Sequence, residues 1–186
     1  MMTSPVALGP SLRRWRALNR VKQDAIAAHF GVSQVTVSRW EALARLPEEP
    51  HARRITELLQ ARPSSASDRA LAELVRQSSR PMHLICDLTH RLLAVSPARA
   101  HDWRVSAEEL IGTSLWRFAT AGIEDGETRL AERGWYEPVA GDVIVATDVG
   151  RFRELTIPAG RIRYTRMPLS DGRTARLVQP ADPGPV

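Results

Sequence analysis

The sequence lacks several features that mark common protein classes. It has one cysteine, Cys86, among 186 residues, which excludes an intramolecular disulfide framework and is typical of a reducing compartment. No apolar run approaches the roughly 18 residues that a membrane span needs, and the N-terminus has no apolar segment of signal-peptide length. We therefore expect a cytoplasmic protein that has no membrane partner.

Motifs of the common enzyme classes are also missing. The chain has no glycine-rich phosphate loop, no nucleophile elbow and no Cys/His pair at metal-ligand spacing. We therefore expect no enzyme, no catalytic residue, no metal site and no tightly bound cofactor. The histidines are expected at turns or on the surface and not as ligands; they are His29, His51, His83, His90 and His101.

Positive charge is concentrated in the first third of the chain. Residues 1–62 hold ten Lys/Arg and five Asp/Glu, a net charge of +5, whereas residues 63–186 hold sixteen of each. This asymmetry indicates a polyanion as partner of the first third, although a solvated basic face would give the same count.

Two regions differ in their pattern. Short helical patterns occupy residues 11–61, and helices mixed with strands occupy 68–180. The Pro- and Ser-containing stretch 62–67 between them is predicted to be a linker. The Pro- and Gly-rich ends, 1–10 and 181–186, are expected to be disordered.

The basic region contains two short predicted helices joined by a glycine turn. Gly31 suits the left-handed conformation that ends a helix, and Ser33 can cap a second helix over about 33–43. The outer face of this second helix is uncharged until Arg39, as expected for a surface that approaches DNA bases. Only one further helix, 48–60, is predicted after it.

The segment "LRRWRALNRVKQDAIAAHFGVSQVTVSRWE" resembles the Cro/repressor-type helix-turn-helix family, also called the xenobiotic-response-element family. The resemblance implies an all-α, lambda-repressor-like domain over 11–61 that binds double-stranded DNA, with the second motif helix in the major groove. The family usually has five helices, so the single helix after the motif is a departure, and the dimer interface is left open. The implied base contacts are Gln34, Val35, Thr36 and Arg39.

The same resemblance implies that Gln23 contacts phosphate and that Arg16 pairs with Glu41 to lock the first helix against the second motif helix. We add Arg13, Ser33 and Ser38 as further contacts to the DNA backbone. Alternatives stay open for single residues: Arg39 also suits phosphate, and the side chains of Thr36 and Ser38 also suit solvent.

The second region begins with an amphipathic helix over 67–80, for which Ser67 is a possible cap. Two strands are predicted in 82–98, a capping box at Ser106 and Glu109, a strand over 142–147, and a terminal hairpin that turns at 170–172. The helix-rich stretch between the second and third strands extends to about residue 133.

This order of elements, with "ICDLTHRLLAVSPA" and "SAEELIGTSLW", resembles the PAS sensor-domain family. The resemblance implies an α+β domain over 68–180 with a five-stranded antiparallel sheet, which acts in signal sensing, dimerisation or both and binds a small-molecule or protein ligand. Cys86 falls in the first strand, whereas a flavin photosensor would carry its reactive cysteine in the helical middle. No histidine follows His101 as a haem ligand, so no cofactor is predicted.

The two resemblances together predict a homodimeric transcription regulator whose DNA binding is modulated through the PAS-like domain. The alternative is a regulator that acts mainly through protein interactions of its C-terminal domain, with DNA contact secondary. An enzyme built on the C-terminal domain is disfavoured because the motifs described above are missing.

Overall fold

A computed structural model describes residues 5–137, 139 and 141–181. The chain divides into two compact units, Met1–Gln60 and Ala61–Val186. Within the described residues, no helix is both long enough and apolar enough to span a bilayer.

The described part of the first unit contains four helices. They are α1 (Pro5–Leu18), α2 (Gln23–Phe30), α3 (Gln34–Glu41) and α4 (Glu49–Leu59). Apolar residues spaced three or four apart on each helix face a common core. The large apolar side chains buried there are those of Leu8, Leu12, Ile26, Phe30, Val37, Trp40, Ile55 and Leu59.

Helix α1 begins earlier than the sequence predicts. Residues 5–10, expected to be disordered, form its first turns, because Leu8 is buried in the core and Gly9 lies against α3. A Cβ atom at Gly9 would lie 1.8 Å from the carbonyl oxygen of Trp40, so α1 and α3 approach at this point more closely than any side chain would allow. Residues 1–4 and 182–186, the rest of the predicted disordered ends, lie outside the described residues.

The connection between α2 and α3 has the predicted turn chemistry. Gly31 has a φ of 68° and ends α2, and the Ser33 hydroxyl accepts a hydrogen bond from the Thr36 N–H at 3.2 Å. The second motif helix is shorter than the predicted 33–43, since Ser33 is its cap and not its first residue. At the other end Leu43 has a φ of 59°, which is incompatible with a helix.

The described part of the second unit contains one longer helix near its start, four short helical segments and seven strands. In chain order its elements are α5 (Ala66–Arg76), β1 (His83–Cys86), β2 (Leu92–Val95), α6 (Pro97–Ala100), α7 (Ala107–Leu110), a 3₁₀ turn (Leu115–Phe118), α8 (Ala121–Thr128), β3 (Val143–Thr147), β4 (Gly150–Arg151), β5 (Thr156–Ile157), β6 (Gly160–Pro168) and β7 (Thr174–Pro180).

Five of these strands form one antiparallel sheet in the order β2-β1-β7-β6-β3, and β4 pairs with β5 separately. In the sheet His83 lies opposite Val178, and Val178 lies opposite Tyr164. The order strand, strand, helices and then strands is the one predicted for a PAS-like fold, and the α+β fold with a five-stranded antiparallel sheet is confirmed. The capping box of Ser106 and Glu109 is also confirmed.

The predicted linker 62–67 is partly wrong. Ala61 is buried, with its N–H 3.2 Å from the sulfur of Cys86, and α5 already begins at Ala66. The cap of α5 is Ser65 and not Ser67, because the Ser65 hydroxyl accepts from the Asp68 N–H while the Asp68 carboxylate accepts from the Ser65 N–H. The carboxylate also accepts from the N–H and hydroxyl of Ser170, which lowers the pKa of Asp68 and ties α5 to the β6–β7 turn.

Both faces of the β1 region are covered, which corrects the prediction for His83. Leu84 and Cys86 face a cluster that includes Ala72 and Val75 of α5, whereas Ile85 faces the larger cluster of the unit. His83, expected at a turn or on the surface, is only 7% exposed. A strand whose two faces differ in polarity normally exposes the more polar face to solvent. The alternation of residues in β1 alone therefore could not show that other elements pack against both of its faces.

Candidate functional site

The exposed side of α3 carries the residues predicted to contact bases. Gln34, Val35 and Arg39 are exposed, and Val35 leaves 55% of its surface in solvent. Val37 and Trp40 of the same helix are buried, so α3 has one face in the core and the other free.

An ion pair fixes α1 against the end of α3. The Nε and Nη2 atoms of Arg16 each donate to a different oxygen of Glu41 at 2.9 Å, and Nη1 donates to the Val21 carbonyl. Glu41 is only 6% exposed. Burial would raise the pKa of Glu41, but hydrogen bonds from Arg16 and Gln23 outweigh it and hold the pKa below its usual range.

Gln23 extends this ion pair into a chain of hydrogen bonds that ends on the exposed face. Its Nε2 donates to Glu41 Oε2 at 2.9 Å, and its Oε1 accepts from Nε2 of Gln34 at the same distance. The structure therefore brings together four predicted residues, one on each of α1 and α2 and two on α3. The first side chain of α3 is oriented by a buried charge through one intermediate amide.

The remaining predicted residues occupy different places. The hydroxyls of Ser33 and Thr36 lie 2.9 Å apart at the start of α3, so both take part in the cap. Ser38 is half-buried one turn further on, and Arg13 is exposed on α1. The hydroxyls of Ser33 and Thr36 thus cap the start of α3, whereas Arg13 is an exposed surface charge.

Helix α4 supports α2 and α3 from another side. Arg54 donates to the carbonyls of His29 and Phe30 at 2.6 and 3.3 Å, which satisfies the C-terminal end of α2. The ring of His51, which was expected at the surface, lies 5.2 Å from that of Trp40. Through these contacts α4 packs against the end of α2 and against the buried face of α3, on either side of the turn between the motif helices.

The second unit contains a buried charge cluster that the sequence analysis missed. Arg176, 1% exposed, donates from Nε to Asp87 at 2.8 Å and from Nη1 to Glu127 at 2.7 Å. Asp87 also accepts from the indole N–H of Trp135, and Glu127 lies 3.2 Å from the ring of His90. Burial disfavours the charge on Glu127, but Arg176 outweighs it and lowers its pKa.

A signal for this cluster is present in the last strand. In "TARLVQP" Arg176 shares a face with Val178, which faces the core, so the alternation places an arginine inward. A buried arginine needs carboxylate partners. The sequence does not show which carboxylates these are, because Asp87 and Glu127 are distant from Arg176 in the sequence and neither lies in a recognisable motif.

Between the sheet and the helices of the second unit lies a cavity of about 80 Å³. Its walls are mainly apolar and aromatic, with Trp103, Trp116 and Phe118 from the helical side and Tyr164 and Val178 from the sheet. Among the described residues no cluster of His, Cys, Asp or Glu is arranged to hold a metal ion.

Comparison with known proteins gives matches only among solved structures. No protein-family model matches the sequence, and no curated protein matches it significantly. The chain is similar to the PAS domain of BvgS from Bordetella pertussis, at 11% identity and a TM-score of 0.39, over 61% of this chain and 83% of that one. It is also similar to the PAS domain of an HTR-like protein from Haloarcula marismortui, at 17% identity and a TM-score of 0.43, over 70% and 96%.

A third similar structure is that of an RNA-binding Light-Oxygen-Voltage receptor, at 11% identity and a TM-score of 0.43. The match covers 95% of this chain and 58% of that one.

Proposed function

We propose that the chain is a sequence-specific transcriptional regulator that binds double-stranded DNA with α3 in the major groove. The observation that carries this proposal is the hydrogen-bonded pair Gln23–Gln34 at the exposed start of α3, anchored through Glu41 and Arg16. The amide of Gln34 is thereby held in one orientation on an exposed helix end. It is suited to read a base edge, because a preoriented donor and acceptor discriminate between bases.

The exposed side chains of α3 match the chemistry of a major groove. Gln34 donates one N–H to Gln23 and retains a second N–H, which suits N7 of adenine as acceptor, and a carbonyl oxygen, which suits the N6 amino group of adenine as donor. The methyl groups of Val35 suit contact with the thymine methyl. Arg39, one turn along, reaches either guanine or a phosphate.

Sequence-independent affinity comes from charge and from helix termini. The first 62 residues carry a net charge of +5, and Arg13 is one of the exposed cations. The N-termini of α2 and α3 lie beside each other, since their first residues, Gln23 and Gln34, are hydrogen-bonded. Two helix N-termini side by side favour a phosphate, which Gln23 and Ser33 would then contact, and Ser38, one turn further along α3, would contact a separate phosphate.

The PAS-like second unit is proposed to modulate this binding as a sensory domain, with the chain acting as a homodimer. A dimer of helix-turn-helix units reads two half-sites about one DNA turn apart. The DNA selected by the protein is therefore expected to contain a symmetric or directly repeated pair of short sites.

The test is selection from a random duplex library followed by titration of the selected duplex. Gln34→Ala is expected to weaken binding to that duplex by about 10- to 100-fold while binding to unrelated duplexes is unchanged. Arg13→Ala should weaken binding to all duplexes alike and reduce the salt slope by about one. Gln77→Ala, which removes the exposed glutamine that follows the last residue of α5, is the matched control.

Arg39→Ala tests whether Arg39 contacts a guanine or a phosphate. Loss of preference at one base pair assigns Arg39 to guanine, and a uniform loss assigns it to phosphate. If wild type and all these variants bind duplexes equally weakly, the proposal fails. The alternative then takes its place, namely regulation through protein interactions of the second unit.

A further inference from the structure

We propose that the cavity of the second unit is a binding site for a small organic carboxylate with a flat apolar body, held by Arg99 and His83. The inference rests on the sensory part of the proposed function, since it names the class of ligand that the second unit would sense. It does not depend on DNA binding, because the ligand site lies wholly within residues 83–178.

Among the described residues, no carboxylate forms an ion pair with Arg99, a half-buried cation. It follows the Ser96 cap in α6 and lines the cavity, and its Nε is buried with no hydrogen-bond partner among the described residues. Burial lowers the pKa of Arg99, which means that the folded chain disfavours this charge. A buried guanidinium N–H without a hydrogen-bond acceptor is costly, and such groups are normally paired.

His83 is the second polar group in the cavity without a partner. It is more than nine-tenths buried on β1, and its Nδ1 makes no hydrogen bond among the described residues. Burial, and then the charge of Arg99, lower the pKa of His83, so the ring is neutral at pH 7. A neutral imidazole with its proton on Nδ1 donates one hydrogen bond, and a carboxylate accepts it.

The other charged groups at the cavity are already paired. Glu127 lines the same space, but its oxygens accept from Arg176 and contact His90, so it does not neutralise Arg99. Arg176 is shared between Glu127 and Asp87. The unmatched groups are therefore one cation and one neutral donor, which fit a single carboxylate better than a dianion.

The remaining walls define the body of the ligand. Trp103, Trp116, Phe118 and Tyr164 present aromatic surface, and aliphatic side chains complete the lining. A volume of about 80 Å³ holds roughly five to eight water-sized groups, at about 10–15 Å³ each. This is the size of a single ring with one small substituent, and benzoate is the simplest probe of that chemistry.

The experiment is calorimetric titration of the full chain, free of DNA, with benzoate and with the uncharged analogue benzamide. Wild type should bind benzoate, and benzamide should bind about 10- to 100-fold more weakly because it cannot satisfy Arg99 as an anion does. Arg99→Met should weaken benzoate binding by a similar factor. Arg161→Gln, a change at an exposed arginine of β6, is the matched control and should bind as wild type does.

A second measurement separates a ligand-binding arginine from a structural one. Without ligand, Arg99→Met should raise the Tm by about 2–4 °C, because it removes a charged group whose Nε atom is buried without a hydrogen bond. An arginine that stabilises the fold would give a lower Tm when replaced. The variant's folding is thereby checked in the same experiment.

The proposal is overturned if wild type gives no binding heat with benzoate at millimolar concentrations. It is equally overturned if Arg99→Met binds benzoate within about twofold of wild type, if benzamide binds as tightly as benzoate, or if inorganic phosphate binds more tightly. None of these results bears on DNA binding, and loss of DNA binding would leave the titration unchanged.

Discussion

Replacing Arg16 by methionine tests how the reading helix is held. The substitution keeps the length of the side chain but leaves the Glu41 carboxylate, which is 6% exposed, with Gln23 as its remaining donor. Removal of one partner of a fully buried pair costs about 3–5 kcal/mol. Since the Arg16 side chain is itself 19% exposed, we expect the lower end, a loss of about 3 kcal/mol in the free energy of unfolding of the first unit at pH 7.5.

The double variant Arg16→Met/Glu41→Leu distinguishes an unpaired charge from lost packing. It removes both charges and leaves only the Gln23 amide and the Val21 carbonyl short of a partner. We expect a loss of about 1–2 kcal/mol, which is smaller than that of the single variant. Hydrogen exchange of amides in α2 and α3 is the assay, because the two units need not unfold together.

The pH dependence supplies a further check on the same pair. In wild type the pKa of Glu41 is lowered by folding, so its contribution to stability is present above about pH 4.3 and is lost as the pH falls below that value. In Arg16→Met burial raises that pKa, and acidification to about pH 5 should reduce the difference from wild type. A loss of less than about 1 kcal/mol in the free energy of unfolding of the single variant, or an equal loss in the single and double variants, would refute the role of Arg16 as the partner of a buried charge.

Three further predictions concern other parts of the chain. Gly9→Ala should unfold the first unit or displace α1, because the new Cβ would lie 1.8 Å from the Trp40 carbonyl oxygen. The new Cβ of Gly31→Ala meets no atom, so that variant should lose only about 1 kcal/mol of stability, because alanine disfavours the positive φ at this position. Urea unfolding measures both losses, and equal losses would contradict the prediction. Folding lowers the pKa of His83 and keeps its ring neutral, so stability should fall as the pH falls below 6.5, by about 1 kcal/mol at pH 5.5. His83→Gln should remove this slope, and a slope unchanged in that variant would contradict the prediction. Arg176→Met leaves the two buried carboxylates of Asp87 and Glu127 without their arginine and should lower the free energy of unfolding by at least about 3–5 kcal/mol at pH 7.5, with partial recovery on acidification. A loss below about 1 kcal/mol, measured by chemical denaturation, would contradict the stabilising role of the ion cluster.

Local signals in the sequence were sufficient for most of the motif region. Gly31 and Ser33 determine where one helix ends and the next begins through their own backbone and hydroxyl chemistry, so neighbours in sequence predicted them correctly. The start of α1 was missed for the opposite reason. Proline and glycine near residue 10 read as irregular chain, but the burial of Leu8 and the close approach at Gly9 depend on α3, about thirty residues away.

In the second unit, too, the local features were predicted from the sequence and the long-range contacts were not. The strands of the five-stranded sheet, the β6–β7 turn and the capping box of α7 follow from alternation and from local turn chemistry, and the sequence predicted them, whereas it did not predict β4 and β5. The burial of His83 and the partners of Arg176 depend on which elements cover each face of the sheet. Such contacts link residues up to 89 positions apart, as Asp87 and Arg176 are, and no local pattern encodes them.

The hydrogen bond between Gln23 and Gln34 joins two residues that the sequence singled out, but the sequence did not predict the bond itself. The resemblance to the helix-turn-helix family implied a DNA contact for each residue separately. That one side chain orients the other became visible only from the distance of 2.9 Å between Oε1 of Gln23 and Nε2 of Gln34. The hydrogen bond joins the first residues of two helices, so its formation depends on the angle at which α2 and α3 pack and not on either sequence segment alone.

The most direct test of DNA reading by α3 is sequencing of the genomic DNA that co-purifies with the full chain, for wild type and Gln34→Ala in parallel. The account predicts that wild type enriches a short motif in two copies about one DNA turn apart, that the DNA is released as salt rises, and that Gln34→Ala loses the motif while still retaining DNA. Retention of no DNA, or enrichment of the same motif by both proteins, would contradict it.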